Sequence, residues 1–278
     1  MKNIDSKVVN DFGREWKYFN QSNQGISQDL TAEFNQYFSE FPWEMVSSHS
    51  IGIDIGCGSG RWAKFVAGRV GKLYCCDPSA EALEIGKMNL VEQANCEFLL
   101  ASVDNIPIEQ ESLDFGYSLG VLHHIPDTKK GLASAVSYLK PGAPFLVYLY
   151  YSFDNRPKWF RALHSFSEFG RKIISSLPFY LKLFITQMIA IVIYFPLARF
   201  AWLCEKFGVN VQNFPLTAYR KRAFYSMRTD SLDRFGTKLE TRYSKEQIEE
   251  MMVDAGLEKI KFRNGSPYWC ACGIKKRP

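Results

Sequence analysis

Residues 51–70, IGIDIGCGSGRWAKFVAGRV, constrain this chain more than any other stretch. Apolar residues alternate through Ile51, Ile53 and Ile55, the pattern of a buried strand. The run breaks at Gly56-Cys57-Gly58-Ser59-Gly60. Trp62, Phe65, Val66 and Val70 then recur at spacings of three and four, which predicts a helix. Strand, glycine turn and helix together cradle a nucleotide-like ligand, because glycines turn tightly and let the backbone approach with no Cβ in the way. A P-loop is excluded, since Gly60 is followed by Arg61 and Trp62. The dinucleotide fingerprint fails too, because its third glycine would fall on Arg61. What stands is D-x-G-x-G-x-G from Asp54 to Gly60, and an acid heading the turn favours a ligand with positive charge over a phosphate. A second apolar strand, LYCCD at 73–77, ends in Asp77, 21 residues after Gly56. An acid about 20 residues past the first glycine is where a ribose is gripped through its hydroxyls.

The same alternation continues. A helix is expected over 80–91, strands over 96–100 and 113–119, a helix over 129–139 and a strand over 143–151. After a long interruption, Ser244 and Gln247 form a capping-box pair that opens a helix ending at Ala255-Gly256. Strands over 257–263 and 268–275 close the pattern. Repeated strand–helix alternation implies parallel βαβ crossovers and a doubly wound α/β sheet, with ligands at the carboxyl ends of the strands. Residues 1–50 read as helical, with Val8, Val9, Phe12, Trp16 and Phe19 at helical spacings. That N-terminal stretch has no apolar core of the secretory type, so no signal peptide is expected. The seven cysteines (57, 75, 76, 96, 204, 270, 272) form no zinc-type C-x-x-C pairs, so no metal is expected, and a reducing, cytoplasmic setting fits them.

The glycine turn and Asp77 resemble the first two motifs of the class I S-adenosylmethionine (SAM)-dependent methyltransferases, specifically the small-molecule, type 11-like group. Two further loops carry the resemblance. Residues 101–107, ASVDNIP, are similar to the loop that reads the adenine, with Ser102 where the family has an acid and the Val103 N–H facing the ring nitrogen. Residues 121–127, VLHHIPD, match the V-L-H-H-x-x-D signature where methyl donor meets acceptor. The resemblance covers 51–151 and 244–276. It implies a mostly parallel seven-stranded Rossmann-like sheet and SAM as cofactor, leaving S-adenosylhomocysteine as product. Asp54, Gly56, Cys57, Gly58, Gly60, Asp77, Pro78, Ser102, Val103 and Leu119 would hold that cofactor. His123 or His124 would be a general base, and Asp127 would either orient it or cap the helix that follows. The N-terminal helix would be a lid, with Trp16, Tyr18 and Phe19 over the cofactor.

Residues 152–243 depart from this rhythm. They hold 15 Lys and Arg against 6 Asp and Glu, so basic charge is concentrated in a segment of a chain whose net charge is only +5. The expected organisation is therefore a lid over 1–50, a core over 51–151 and 244–278, and a helical, basic and aromatic cap over 152–243. Residues 177–204 are very apolar, but the uncharged run 183–198 is short for a transmembrane span. A buried cap helix is expected there, with a helix docked on a membrane or partner as the alternative. Arg220 and Arg222 head a basic cluster suited to an acidic acceptor. No RNA-binding appendage is present, so nucleic acid is not expected as a partner. The whole reads as an enzyme that methylates an oxygen or nitrogen of a small organic molecule, acidic or aromatic in character. Two alternatives stand beside it: a lipid- or quinone-like acceptor at a membrane surface, and a non-catalytic SAM-binding partner subunit.

Overall fold

The computed structural model describes residues 3–20 and 27–277. In chain order the elements are α1 (Ser6–Tyr18), α2 (Ser27–Tyr37), β1 (Ile51–Ile55), α3 (Ala63–Ala67), β2 (Lys72–Asp77) and α4 (Ala80–Asn89). There follow β3 (Cys96–Leu100), β4 (Phe115–Leu119), α5 (Thr128–Ser137), β5 (Pro144–Tyr148), α6 (Lys158–Ile174), α7 (Phe179–Ile189), α8 (Phe195–Lys206) and α9 (Phe224–Gly236). The helix α10 (Lys245–Asp254) and the strands β6 (Leu257–Phe262) and β7 (Cys270–Lys275) end the series. The chain divides into two compact units. Residues 1–22, 30–152 and 239–278 form the first, and residues 23–29 with 153–238 form the second.

The first unit is built on seven strands in the order β3-β2-β1-β4-β5-β7-β6. The pairs β1–β2, β1–β4, β2–β3 and β4–β5 are parallel, and β7 runs antiparallel to both β5 and β6. This is the doubly wound, mostly parallel sheet that the sequence implied. Because side chains alternate across a strand, Ile53 and Ile55 enter one apolar layer with Leu132 and Val136 of α5 and Ile248 and Met252 of α10. Leu73, Cys75, Phe115 and Tyr117 enter the other, with Phe34 of α2 and Ala63 and Val66 of α3. The chain order reverses direction between β1 and β4, and the loops at their carboxyl ends gather there. Local signals set the helix starts. Asp127 accepts from the Lys130 N–H at 2.9 Å and so caps α5, and Ser244 and Gln247 form the expected capping box on α10.

In the second unit, α7 continues through five π-wound residues, Ala190–Tyr194, into α8, making one helix of 28 residues. The extra residue in that turn relieves the clash that Pro196 would otherwise make with the preceding turn of a regular helix. Both α6 and α7 fasten to the end of α9 by side chains reaching its carbonyls. Lys182 Nζ donates to Gly236 O at 3.1 Å, and Arg171 Nη1 donates to Thr237 O at 2.9 Å. The expectation that residues 177–204 are mostly buried is overturned. Only one stripe is buried, Lys182, Leu183, Thr186, Ala190, Tyr194, Ala198 and Ala201, while the opposite, apolar stripe is exposed. Composition could not tell which face packs, and here small and polar residues pack together with Leu183 and Tyr194. By length and composition this helix is the only one among the described residues that could cross a membrane.

Packing in the first unit gives a test. A Cβ on Gly52 would lie 2.1 Å from the Phe115 ring across the β1–β4 pair, whereas a Cβ on Gly68 meets nothing within 4 Å. Gly52→Ala should cost about 1–3 kcal/mol in urea unfolding and Gly68→Ala almost nothing. Equal effects would mean that the β1–β4 contact is looser than described.

Candidate cofactor site

The cleft lies at the carboxyl ends of β1, β2 and β4, within the first unit, and α1 runs across it. Gly56, Gly58 and Gly60 all have positive φ, +77°, +53° and +75°. A side chain at position 56 would strike Val121 at 2.4 Å, and one at position 58 would strike the Trp16 ring at 2.9 Å. The turn therefore needs glycine on both backbone and packing grounds. At the end of β2, the Asp77 carboxylate accepts from the Gly58 N–H at 3.0 Å and from the Ser79 N–H at 2.8 Å. Burial nevertheless pushes this carboxyl up to about 6, with those two N–H groups pulling against it.

Asp54 stands behind the turn rather than in the cleft. It is 1% exposed, and its Oδ2 has no hydrogen-bond partner. Burial pushes its carboxyl up to about 8, against the pull of the Tyr117 hydroxyl, with Asp77 adding to the rise. Cys57 lines the cleft wall; its contact with Cys75 pulls the thiol down, but burial together with the charges of Asp77 and Asp54 lifts it to about 12, so it is no nucleophile.

The far wall is the loop after β3. Ser102 donates to Asp104 Oδ1 at 2.7 Å, and Asp104 Oδ2 accepts from the Asn3 N–H at 3.1 Å. Burial works to raise the Asp104 carboxyl, but these hydrogen bonds hold it below its usual value. Asn3 also exchanges two bonds with the Asp127 backbone, at 2.7 and 2.8 Å, so the start of α1 is tied to both loops.

The structure sorts the expected site residues. Gly56, Cys57, Asp77, Pro78, Ser102, Val103, Leu119, Trp16 and His124 line the cleft. Gly58 and Gly60 shape the turn from behind, as Asp54 does. Tyr18 is 51% exposed and edge-on to Phe19, which is itself buried away from the cleft. Position 18 lies about 200° around the helix from Trp16, so the two cannot share a face. Arg220 and Arg222 belong to the second unit. There Arg220 pairs with Glu205 at 2.8 Å, and Arg222 lies 3.8 Å from Asp230. Sequence reading missed Asn3 and the place of Val8 and Phe12 in the cleft wall. Only the spacing 8, 12, 16 marked that face of α1.

The two histidines differ. His123 is fully buried between His124 and Tyr150, at ring-centroid distances of 4.0 and 3.9 Å, and neither of its ring nitrogens has a hydrogen-bond partner. Burial, then His124 and Arg242, hold it well below the usual imidazole value, so it stays neutral. His124 reaches the cleft, 5.0 Å from the Phe12 ring, with its Nδ1 2.7 Å from the Leu239 carbonyl. A carbonyl only accepts, so Nδ1 carries the hydrogen and the neutral ring keeps its lone pair on Nε2.

A parallel sheet with a positive-φ glycine turn, a ribose-type acid at the end of its second strand and no phosphate-binding lysine defines the class I, Rossmann-like SAM-binding domains. Residues 53–147, about a third of the chain, match the family described as methyltransferase domain. The sterol 4-C-methyltransferase strm-1 of Caenorhabditis elegans is 30% identical over 99 residues, 34% of this chain and 30% of that protein. Phosphoethanolamine N-methyltransferase 2 of the same organism is 32% identical over 101 residues, 35% of this chain and 23% of that protein. The ubiquinone/menaquinone biosynthesis C-methyltransferase UbiE of Francisella tularensis is 33% identical over 102 residues, 34% and 40% of the two chains. The chain thus spans well under half the length of the curated relatives it matches. In fold it is similar to the Haloferax volcanii methyltransferase solved with the Trm112 methyltransferase activator, at 14% identity and a TM-score of 0.56, covering 95% of this chain and 97% of that one. It is similar as well to the SAM-dependent methyltransferase of Thermotoga maritima, at 14% identity and a TM-score of 0.52, covering 97% and 100%.

The residues present fit SAM. Asp77 lines the cleft at the end of β2 with acceptor oxygens for ribose hydroxyls, and the Ser102 hydroxyl, oriented by Asp104, can accept from an exocyclic amine. Asp77 must be ionised to accept from the ribose. SAM affinity should therefore fall as the pH drops below about 6, by up to about tenfold per unit. Asp77→Asn should bind more weakly at neutral pH and lose this acid limb. A wild-type affinity that is level down to pH 5 would remove Asp77 from the ribose site.

Proposed function

We propose that this chain is a methyltransferase that moves the methyl group of SAM to an oxygen or nitrogen of a small organic molecule. The observation that carries the reading is His124, which lines the cofactor cleft with its tautomer set by Leu239. When bound, SAM supplies an electrophilic methyl group on a sulfonium. The chain's own part is alignment and proton removal. The glycine turn and Asp77 hold the donor, and the Val8, Phe12, Trp16 face of α1 keeps water from the cleft. His124 Nε2 takes the proton of an acceptor hydroxyl as its oxygen bonds to the methyl carbon, or of an acceptor ammonium before the freed amine does so, the sulfur keeping the electrons of the broken C–S bond; His123 packs against the His124 ring at 4.0 Å, tilted by 51°. The names of the relatives span carbon and nitrogen acceptors, which supports methyl transfer in general and favours no acceptor. Seven free cysteines, five of them buried, are in keeping with a reducing cytoplasmic compartment.

The test is turnover on a panel of alcohols, phenols and amines, with SAM binding measured separately. His124→Ala should lower kcat by at least about tenfold, within the range of about 10²–10⁴ expected of a general base, with SAM affinity nearly constant and partial rescue by added imidazole. His123→Ala should mainly lower the melting temperature. If SAM binds but no acceptor is methylated, the chain is a SAM-binding partner subunit. If both variants keep wild-type kcat, the acceptor is deprotonated elsewhere.

A further inference from the structure

The second unit has an inverted polarity. The faces that α6 and the 28-residue helix turn toward α9 are rich in polar and small residues, set beside Leu183, Ile189 and Tyr194. Lys182 and Arg171 are buried there, Ser231 Oγ donates to Thr186 O at 2.8 Å, and Glu168 takes both Arg171 and Arg234. The outward faces are apolar. Tyr180, Phe184, Met188, Val192, Phe200 and Leu203 are between 43% and 82% exposed. Every exposed residue from Tyr180 to Leu203 is aliphatic, aromatic, methionine or proline. On α6, Trp159, Leu163, Phe166, Phe169 and Ile173 form a second exposed stripe, with the exposed Lys158, Arg161 and Lys172 along one edge.

Water-facing apolar surface on this scale marks an interface, since each Å² removed from water gains about 25 cal/mol. Charge decides what covers it. Residues 153–238 hold 14 Lys and Arg against 5 Asp and Glu, a net charge of +9. A second copy would bring the same excess against itself, whereas an anionic bilayer attracts it at about 1 kcal/mol per basic residue near the surface. A Trp/Phe/Leu stripe edged with Lys and Arg is the arrangement of helices lying in the membrane interface. Crossing the bilayer is a different matter. The helix Phe179–Lys206 is long enough, but its buried face carries Lys182 and packs on α9 with Arg228, Asp230, Asp233 and Arg234. Each charge at the bilayer centre costs roughly 2.5–3.5 kcal/mol or more.

We propose that α6, α7 and α8 lie on the surface of an anionic phospholipid bilayer, their exposed aromatic and aliphatic residues among the acyl chains and their basic residues at the headgroups. The proposal is independent of which acceptor the enzyme methylates. The test is flotation of the full chain with vesicles of phosphatidylcholine alone and of phosphatidylcholine mixed with phosphatidylglycerol. The wild type should float with the mixed vesicles, at least about tenfold more tightly than with the neutral ones. It should be released by alkaline carbonate. The combined variant Phe166→Glu, Phe184→Glu, Val192→Glu should stay behind while keeping its far-UV circular dichroism and its SAM affinity. The proposal is overturned if the wild type ignores mixed vesicles, or if the variant floats like the wild type. It is also overturned if carbonate fails to extract the protein, which would make the long helix a span. A detergent-free dimer that the variant abolishes, without vesicle binding, would assign the face to a second copy.

Discussion

The Asp77 carboxylate ties the end of β2 to the turn after β1, and the geometry of the cleft follows from that one group. Its two oxygens take N–H groups from Gly58 and Ser79, extending the junction that the Gly56 and Cys57 N–H groups begin at the Cys76 carbonyl. A carboxylate this deeply buried is costly unless it is hydrogen-bonded, so the bonds and the burial require each other. The same bonds give Gly58 its place under Trp16, and Ser79 in turn caps α4 through the Ala82 N–H. The turn, α4 and α1 therefore meet at one acid, whose carboxyl is pushed up to about 6 by burial against the pull of its two donors.

Much of this was legible in the residues because it is local or periodic. The alternation through Ile51–Ile55, the glycine turn, the 21-residue step to Asp77 and the Ser244–Gln247 capping box each rest on spacings that backbone geometry dictates. What escaped the sequence has no such spacing. Asn3 matters through bonds to residues more than a hundred positions away, and nothing near it in the chain announces them. The lid face was missed by choosing aromatic residues, Tyr18 and Phe19, in place of the four-residue rhythm of Val8, Phe12 and Trp16. The apolar run of α7 and α8 misled in a related way. Composition reports how apolar a helix is and is silent on which side it packs, and here Ala190, Ala198 and Ala201 pack because they let α9 and its neighbours come close.

The two histidines show the same limit at the scale of one residue. The sequence offers an adjacent pair, and adjacency alone cannot divide the work. The fold does so on a single 3₁₀ turn, Leu122–His124, packing His123 against Tyr150 and directing His124 to the Leu239 carbonyl beside the cleft. One ring is kept neutral by its surroundings, and the other has its donor side fixed.

The fastening of α1 couples it to the loops beneath it. The helix is pinned at its start by Asn3 to the Asp104 and Asp127 loops, and Gly13 lies against Ser79, where a single Cβ would already sit 2.5 Å from the hydroxyl. Any lifting of α1 has to open those hydrogen bonds, so helix and loops loosen together or not at all.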